Sequence, residues 1–315
     1  MKKIFASLVA VAMGSALWAA SPWWNAEWSG RVPVTVSTGM SPTPNAIVSV
    51  KMDGIEADAT SFRVVDAENK PVPCAVRKDG SGKFFVAWRI AEPQMLDELI
   101  YTIYFDKNAK PAEAEAAGFP QKLPGMNLLS NGDLVKKTGA GAVAGWAVTT
   151  NGRGTPDKWT PETIAKVQIV EKDGRRALAI DGVSIVAPVM GLQEGHTYRL
   201  SYEGLNTEPQ LTTITAWFRG QTVQHWLYDY ANYKLASGFS SPGTWTKCSI
   251  SEFGYTDVKT KKVLGGQQKL LPGTQSAFIE IAPRSGKMVY IANLLFEDIT
   301  EKPLEAKLGA AEARQ

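Results

Sequence analysis

The sequence predicts an all-β chain of two β-sandwich domains. Three observations carry that prediction: short runs with apolar residues at every second position, turn chemistry between the runs, and a proline- and alanine-rich break near 110–125 that separates two such series. This spacing belongs to antiparallel sandwiches rather than to alternating strand–helix units.

Residues 1–20 read as an export signal. Met1-Lys2-Lys3 is a short cationic head, Ile4 to Trp18 is apolar, and Ala19-Ala20-Ser21 supplies small residues at its end. The apolar run is short for a membrane span, and no cysteine follows it to carry a lipid. Cleavage after Ala20 leaves Trp18 where a small residue is usual, so the cleavage position is less defined than the signal. The expected destination is export, to the periplasm or the extracellular medium, with no membrane span in the mature chain. A retained anchor helix is the alternative.

About 295 residues then remain, enough for two cores. Removing Lys2 and Lys3 lowers the formal charge from +3 to +1, and no dense Lys/Arg cluster is present, so nucleic acid is not an expected partner. Cys74 and Cys248 are expected to be separate buried thiols rather than a disulfide framework. His196 and His225 lack a second histidine or cysteine at ligand spacing, and no cofactor is expected.

The first domain is placed at 21–110. Val32, Val34 and Val36 alternate with polar neighbours; Phe84, Val86, Trp88 and Ile90 share a second strand face; Leu99, Tyr101, Ile103 and Phe105 share a third. Glu68-Asn69-Lys70-Pro71 and Asp79-Gly80-Ser81-Gly82 are the turns between them. Residues 111–125, with Pro111, Pro120, Pro124 and Gly125, read as a linker with room for one helical turn. Residues 301–315, rich in Ala, Glu and Lys, read as a frayed tail or short helix.

Trp23-Trp24-Asn25-Ala26-Glu27-Trp28-Ser29-Gly30-Arg31 resembles the opening of an uncharacterised β domain of bacterial exported and surface proteins. Ile103-Tyr104-Phe105-Asp106-Lys107-Asn108 resembles that domain's closing aromatic strand, with departures at Phe105, Asp106 and Lys107. The resemblance implies a β-sandwich and no activity. The clustered tryptophans are expected to plug one end of that sandwich, because such rings bury a large apolar area.

The second domain is placed at 126–300. Asn127-Leu128-Leu129-Ser130-Asn131-Gly132-Asp133 with Gly145-Trp146, Leu192-Gln193-Glu194-Gly195 with Tyr198-Arg199-Leu200-Ser201-Tyr202, Trp245-Thr246, and Met288 to Leu294 occur in the order found in jelly-roll carbohydrate-binding modules of the family four, nine and twenty-two type. This part of the chain resembles those modules, which have a galactose-binding-like fold. The resemblance implies a jelly roll, a glycan or polysaccharide ligand and no catalysis. It also implies a structural calcium, but Val135 and Ala292 stand where relatives carry carboxylates, and calcium wants several oxygen ligands. No metal is therefore expected.

Alternation assigns the faces. Ile214, Ala216 and Phe218 read as core, which puts Trp217 and Arg219 outward; Tyr198, Leu200 and Tyr202 read as core, which puts Arg199 and Glu203 outward. Ala277, Ile279 and Ile281 point inward and leave Phe278 and Glu280 outside. Trp226, Tyr228 and Tyr230 share one face of an aromatic stretch. A pyranose has an apolar C–H face that suits an aromatic ring and hydroxyls that need charged or amide partners. The expected ligand-binding set is therefore Trp217, Arg219, Glu203, Arg199, Trp226, Tyr228 and Tyr230, with no catalytic residue, since neither histidine has a Ser or Cys partner in sequence. The expected function is an exported, non-catalytic carbohydrate-binding protein whose first domain serves structure or a protein partner. The alternatives are a structural or adhesive envelope protein with no sugar ligand, and a two-carboxylate glycan-cleaving enzyme.

Overall fold

The computed structural model describes residues 23–54, 61–108, 110, 118–149, 156–220, 234–256, 263–267, 269–270 and 272–314, with the side chains of 219–220, 234, 253–256, 263–267 and 275 left out. The expected export signal and the aromatic stretch 225–233 lie outside the described residues. The chain is all-β, with one short helix among the described residues, and divides into two compact units. Unit one takes 1–76, 86–119 and 303–315; unit two takes 77–85 and 120–302. Among the described residues no helix is long and apolar enough to cross a membrane.

Unit one is built from β1 (Gly30–Ser37), β2 (Ala46–Lys51), β3 (Ser61–Asp66), β4 (Pro71–Val72), β5 (Cys74–Lys78), β6 (Phe84–Ile90) and β7 (Glu98–Asp106), joined by β20 (Glu305–Leu308) and β21 (Glu312–Ala313). One sheet runs β20-β1-β7-β3-β4, with β21 also on β1; the other runs β2-β6-β5. Val32, Val34 and Val36 turn into the core as their alternation requires, and the Trp88 ring of β6 lies 5.1 Å from that of Tyr101 on β7. The turn between β3 and β4 works as its residues predict: Asn69 takes φ 62°, and Asp66 Oδ1 accepts from the N–H groups of Glu68 and Lys70.

Two expectations change here. The final residues are not frayed. Val34 to Ser37 pair antiparallel with Glu305 to Leu308, Gly30 and Arg31 pair with Ala313 and Glu312, and Arg31 bonds Glu312 at 2.8 Å. Ala, Glu and Lys hide a strand because an edge strand needs only ladder hydrogen bonds, and its charged side chains protect that edge. The tryptophans, expected to plug an end, cover a sheet face instead. Tyr104 lies opposite Arg31 and Arg63, on the face of the sheet away from the core, and Trp23, Trp24 and Trp28 pack over it. They form a second small apolar cluster on the outside of that sheet.

Unit two holds β8 (Ala147–Thr149), α1 (Pro161–Lys166), β9 (Val167–Lys172), β10 (Arg175–Asp181), β11 (Ser184–Val189), β12 (Tyr198–Asn206), β13 (Thr212–Gly220), β14 (Lys234–Phe239), β15 (Thr246–Ile250), β16 (Phe253–Thr256), β17 (Val263–Gln267), β18 (Thr274–Pro283) and β19 (Met288–Asp298). Five strands run β15-β12-β19-β10-β9 and seven run β17-β16-β14-β13-β18-β11-β8. One core joins the two sheets: Leu178, Ile180, Tyr198, Leu200 and Phe296 from the first meet Ile185, Ile214, Phe218, Ile279 and Ile281 from the second. The Tyr202 hydroxyl crosses the core to Ser237 Oγ at 3.0 Å.

The opening motif of this unit is structural. Asn127 Nδ2 donates to Leu294 O, and its Oδ1 accepts from Leu129 and Phe296 N–H, which ties the first segment to β19. Asn131, at φ 53°, donates to Lys136 O and Ala144 O and accepts from Val135 and Lys136 N–H. A Cβ on Gly132 would lie 2.2 Å from Asn127 Nδ2, so the glycine follows from the clamp beside it. Trp146 donates its indole N–H to Ser130 O and closes the same corner. The second half of the expected linker largely belongs here as well: residues 120–125 form bends and a turn without a helix, and Leu123 is fully buried. Cys74 and Cys248 are thiols, each half-buried rather than buried.

Candidate functional site

Register places the outward residues of the seven-stranded sheet in rows. One row runs Ala147, Val186, Glu280, Thr215, Ala236; the next runs Pro188, Phe278, Trp217, Lys234; a third runs Thr149, Ser184, Ala282, Thr213, Gly238. The rows differ in bulk. Two half-buried aromatic rings, Phe278 and Trp217, stand beside a floor of small side chains with a carboxylate in it.

Glu280 is the unusual member of that floor. It is 2% exposed, yet it sits on the face of the sheet that points away from the core. Trp217 is its diagonal neighbour across the β13–β18 pair, within reach of a long side chain, and its indole N–H donates to Glu280 Oε2 at 2.7 Å. The other oxygen, Oε1, is buried with no hydrogen-bond partner among the described residues. A buried polar atom left without a partner costs about 1–3 kcal/mol. Alternation alone put Glu280 on this face; a lone carboxylate in an otherwise apolar strand, Ala277 to Ala282, was the available signal that it belongs to a site.

The predicted set does not assemble as one site. Trp217 is outward, as alternation requires, and Arg219 follows it on β13 at a register shift, with its side chain outside the described residues. Glu203 and Arg199 are elsewhere. They lie on β12, in the five-stranded sheet, so their outward face is on the other side of the core from Trp217. The expectation that Glu203 neighbours Trp217 fails because β12 and β13, consecutive in sequence, belong to opposite sheets. Trp226, Tyr228 and Tyr230 fall within 221–233, outside the described residues.

On the five-stranded sheet the outward groups are paired ions. Arg199 Nη2 bonds Glu297 Oε1 at 2.7 Å, and Arg175 Nε bonds Glu203 Oε2 at 2.5 Å. The Arg175 hydrogen bond holds the Glu203 carboxyl below its ordinary range against the opposing effect of burial, with smaller help from Asn293 and Lys247. His196 Nδ1 contacts Asp298 Oδ2 at 2.6 Å beside a small cleft walled by Pro120, Lys122, Pro124, Thr300 and Glu301. Thr300 Oγ1 accepts the Thr197 N–H at 2.8 Å beside the same cleft.

The donor set for the calcium of the resembled modules does not fit. Val135 is an exposed valine and Ala292 a buried alanine, and no group of three or more His, Cys, Asp or Glu side chains converges among the described residues.

The sequence matches no family model and no curated protein. Solved structures similar to this chain include a CBM61 module in complex with β-1,4-galactotriose, at 14% identity and TM-score 0.32, covering 55% of this chain and 98% of that one. A sugar-binding protein of Bacteroides thetaiotaomicron, so described provisionally, matches at 12% identity and TM-score 0.35, covering 55% and 100%. The N-terminal CBM22 tandem of Xyn10C from Paenibacillus barcinonensis matches at 11% identity and TM-score 0.32, covering 86% and 79%.

Proposed function

We propose that the chain is an exported, non-catalytic glycan-binding protein whose ligand lies on the outward face of the seven-stranded sheet. The observation that supports this reading is the Trp217–Glu280 pair: an aromatic ring on an outward sheet face, fixed through its N–H by a buried carboxylate. Phe278 extends the apolar surface, and Thr213 adds a hydroxyl along β13. Such a surface suits a sugar ring, whose C–H face lies on an aromatic and whose hydroxyls seek acceptors and donors. Catalysis by a carboxylate pair needs two carboxyl groups facing each other across a scissile bond. Around Glu280 the described outward neighbours are Val186, Thr215, Ala282 and the aromatic row, with no second acid.

The test is a glycan array probed with the full chain, followed by titration of the best ligand. Trp217→Ala is expected to lower affinity at least tenfold while the protein stays folded, since the ring is only half-buried. Phe218→Ala, one residue on and 1% exposed, is expected to cost about 3–5 kcal/mol of stability. An array with no ligand, or a ligand held equally well by Trp217→Ala, overturns the reading.

A further inference from the structure

The outward face of the five-stranded sheet carries a second arrangement that the proposed site does not use. Val170, Ala177, Ala292, Glu203 and Lys247 form one continuous row across β9, β10, β19, β12 and β15. Along it the ladder between β12 and β19 is broken by a bulge: Ser201 faces Leu295 and Glu203 faces Ala292, so Asn293 and Leu294 together oppose Tyr202. The extra residue, Asn293, takes φ 52°, and it lines the same cleft as Glu203. Bulges re-aim a side chain at the cost of ladder pairing and are frequent beside binding sites.

The bulge opens a cleft of about 550 Å³, solvent space at its mouth included, lined by Ser201, Glu203, Lys247, Ser249 and Asn293 with Tyr202 and Cys248. At its edge stands Trp245. Its indole N–H donates to Asp173 Oδ2 at 3.1 Å, and the Arg175 guanidinium lies 4.9 Å from its ring centre while bonding Glu203. The ring is thus fixed in orientation by two partners before any ligand arrives. Lys247, 80% exposed at its side chain, approaches Glu203 Oε1 only to 3.5 Å, beyond a good hydrogen bond.

We propose that this cleft is a second ligand site, independent of the Trp217 face, and that it takes a neutral sugar residue through a pair of adjacent hydroxyls. One hydroxyl donates to Glu203 Oε1 and accepts from Lys247, filling the long gap between them. The other meets the Asn293 amide and the Ser201 and Ser249 hydroxyls. Charge argues for a neutral ligand: the cleft lining carries one carboxylate, Glu203, and one ammonium, Lys247, and the Arg175 beside it is already bonded to Glu203. The preset side chains reduce the ordering cost of binding. With one site on each sheet, a single molecule bridges two glycan chains.

Four variants of the full chain separate this inference from the function proposed above: Trp217→Ala, Trp245→Ala, Glu203→Gln and the Trp217→Ala/Glu203→Gln double. Each is titrated with cello-, xylo-, manno- and β-1,4-galacto-oligosaccharides, with melting temperature recorded as a fold control. The expected result is residual saturable binding in Trp217→Ala that falls at least tenfold on adding Glu203→Gln, with a loss of similar size at that site in Trp245→Ala. Residual binding unmoved by Glu203→Gln or Trp245→Ala overturns the second site, as does complete loss of binding in Trp217→Ala alone. Binding abolished by Glu203→Gln and untouched by Trp217→Ala upholds the cleft and overturns the Trp217 face. If none of the four series binds the wild type, the neutral-sugar assignment of the cleft is overturned.

Discussion

Two regions of the molecule place tryptophan on the outward face of a sheet, and they end differently. In unit one, Trp23, Trp24 and Trp28 surround Tyr104 and pack with two guanidinium groups. The Tyr104 hydroxyl accepts the backbone N–H of Trp24 at 2.9 Å, Arg31 lies 5.1 Å from the Trp23 ring centre, and Arg63 lies 5.9 Å from both Trp24 and Trp28. Arg31 is bound in turn by Glu312. In unit two, Trp217 is pinned by a buried carboxylate whose other oxygen has no hydrogen-bond partner among the described residues. Aromatic and charged residues are common to both. What separates the two is how the rings are held: beside guanidinium groups in unit one, and through the indole N–H by a buried carboxylate in unit two.

The largest expected effect tests the packed side of this comparison. Trp28 is 4% exposed and touches both Tyr104 and Val65. Trp28→Ala is expected to destabilise unit one by about 3–5 kcal/mol, read as a shift of the denaturant midpoint, with glycan affinity unchanged below the transition. A loss of glycan binding in the still-folded variant would mean that the cluster is itself a site.

Alternation made most of the strand faces legible. Val32, Val34, Val36, Ile214, Phe218, Ile279 and Ile281 all point inward, as a period of two requires. What alternation cannot carry is the assignment of strands to sheets. That depends on long-range pairing, and it is why Glu203 was grouped with Trp217 although β12 and β13 lie in different sheets. The site residues found only in the structure share this origin. Glu280 matters because of a diagonal neighbour on another strand, and Asn293 because of a bulge that its own sequence does not announce. The final strands escaped notice for a third reason: an edge strand with one pairing partner needs neither β-branched residues nor a buried face.

That edge supplies the next prediction. Truncation after Lys302 removes β20 and β21 from β1 and takes Glu312 from Arg31, which is 5% exposed. Several ladder hydrogen bonds at about 1 kcal/mol each, and a buried cation deprived of a carboxylate, suggest a loss of about 3 kcal/mol. Thermal unfolding should show unit one melting earlier while unit two is unaffected. An unchanged profile would make the tail dispensable, and would also show that Arg31 needs no carboxylate to stay buried beneath the tryptophans.

The smallest expected effect sets a satisfied carboxylate against the unsatisfied one. Glu203 is held below the ordinary carboxylate range chiefly by the Arg175 hydrogen bond, helped by Asn293 and Lys247 and opposed by burial. A carboxyl whose folded-state pKa is depressed binds its proton less readily in the native state than in the unfolded chain. Its stabilisation is therefore complete above the unfolded value, about 4.3 for glutamate, and fades as pH falls through the lower folded value. Glu203→Gln should accordingly be less stable than wild type at pH 7, and the difference should shrink as pH is lowered below about 4. The readout is the difference in melting temperature between the two proteins across that range. A gap that stays constant from pH 7 to the acid limit would mean that Glu203 contributes through the shape of its side chain rather than its charge. The Arg175–Glu203 pair would then be a surface contact, and the preset geometry argued for the cleft beside it would lose its anchor.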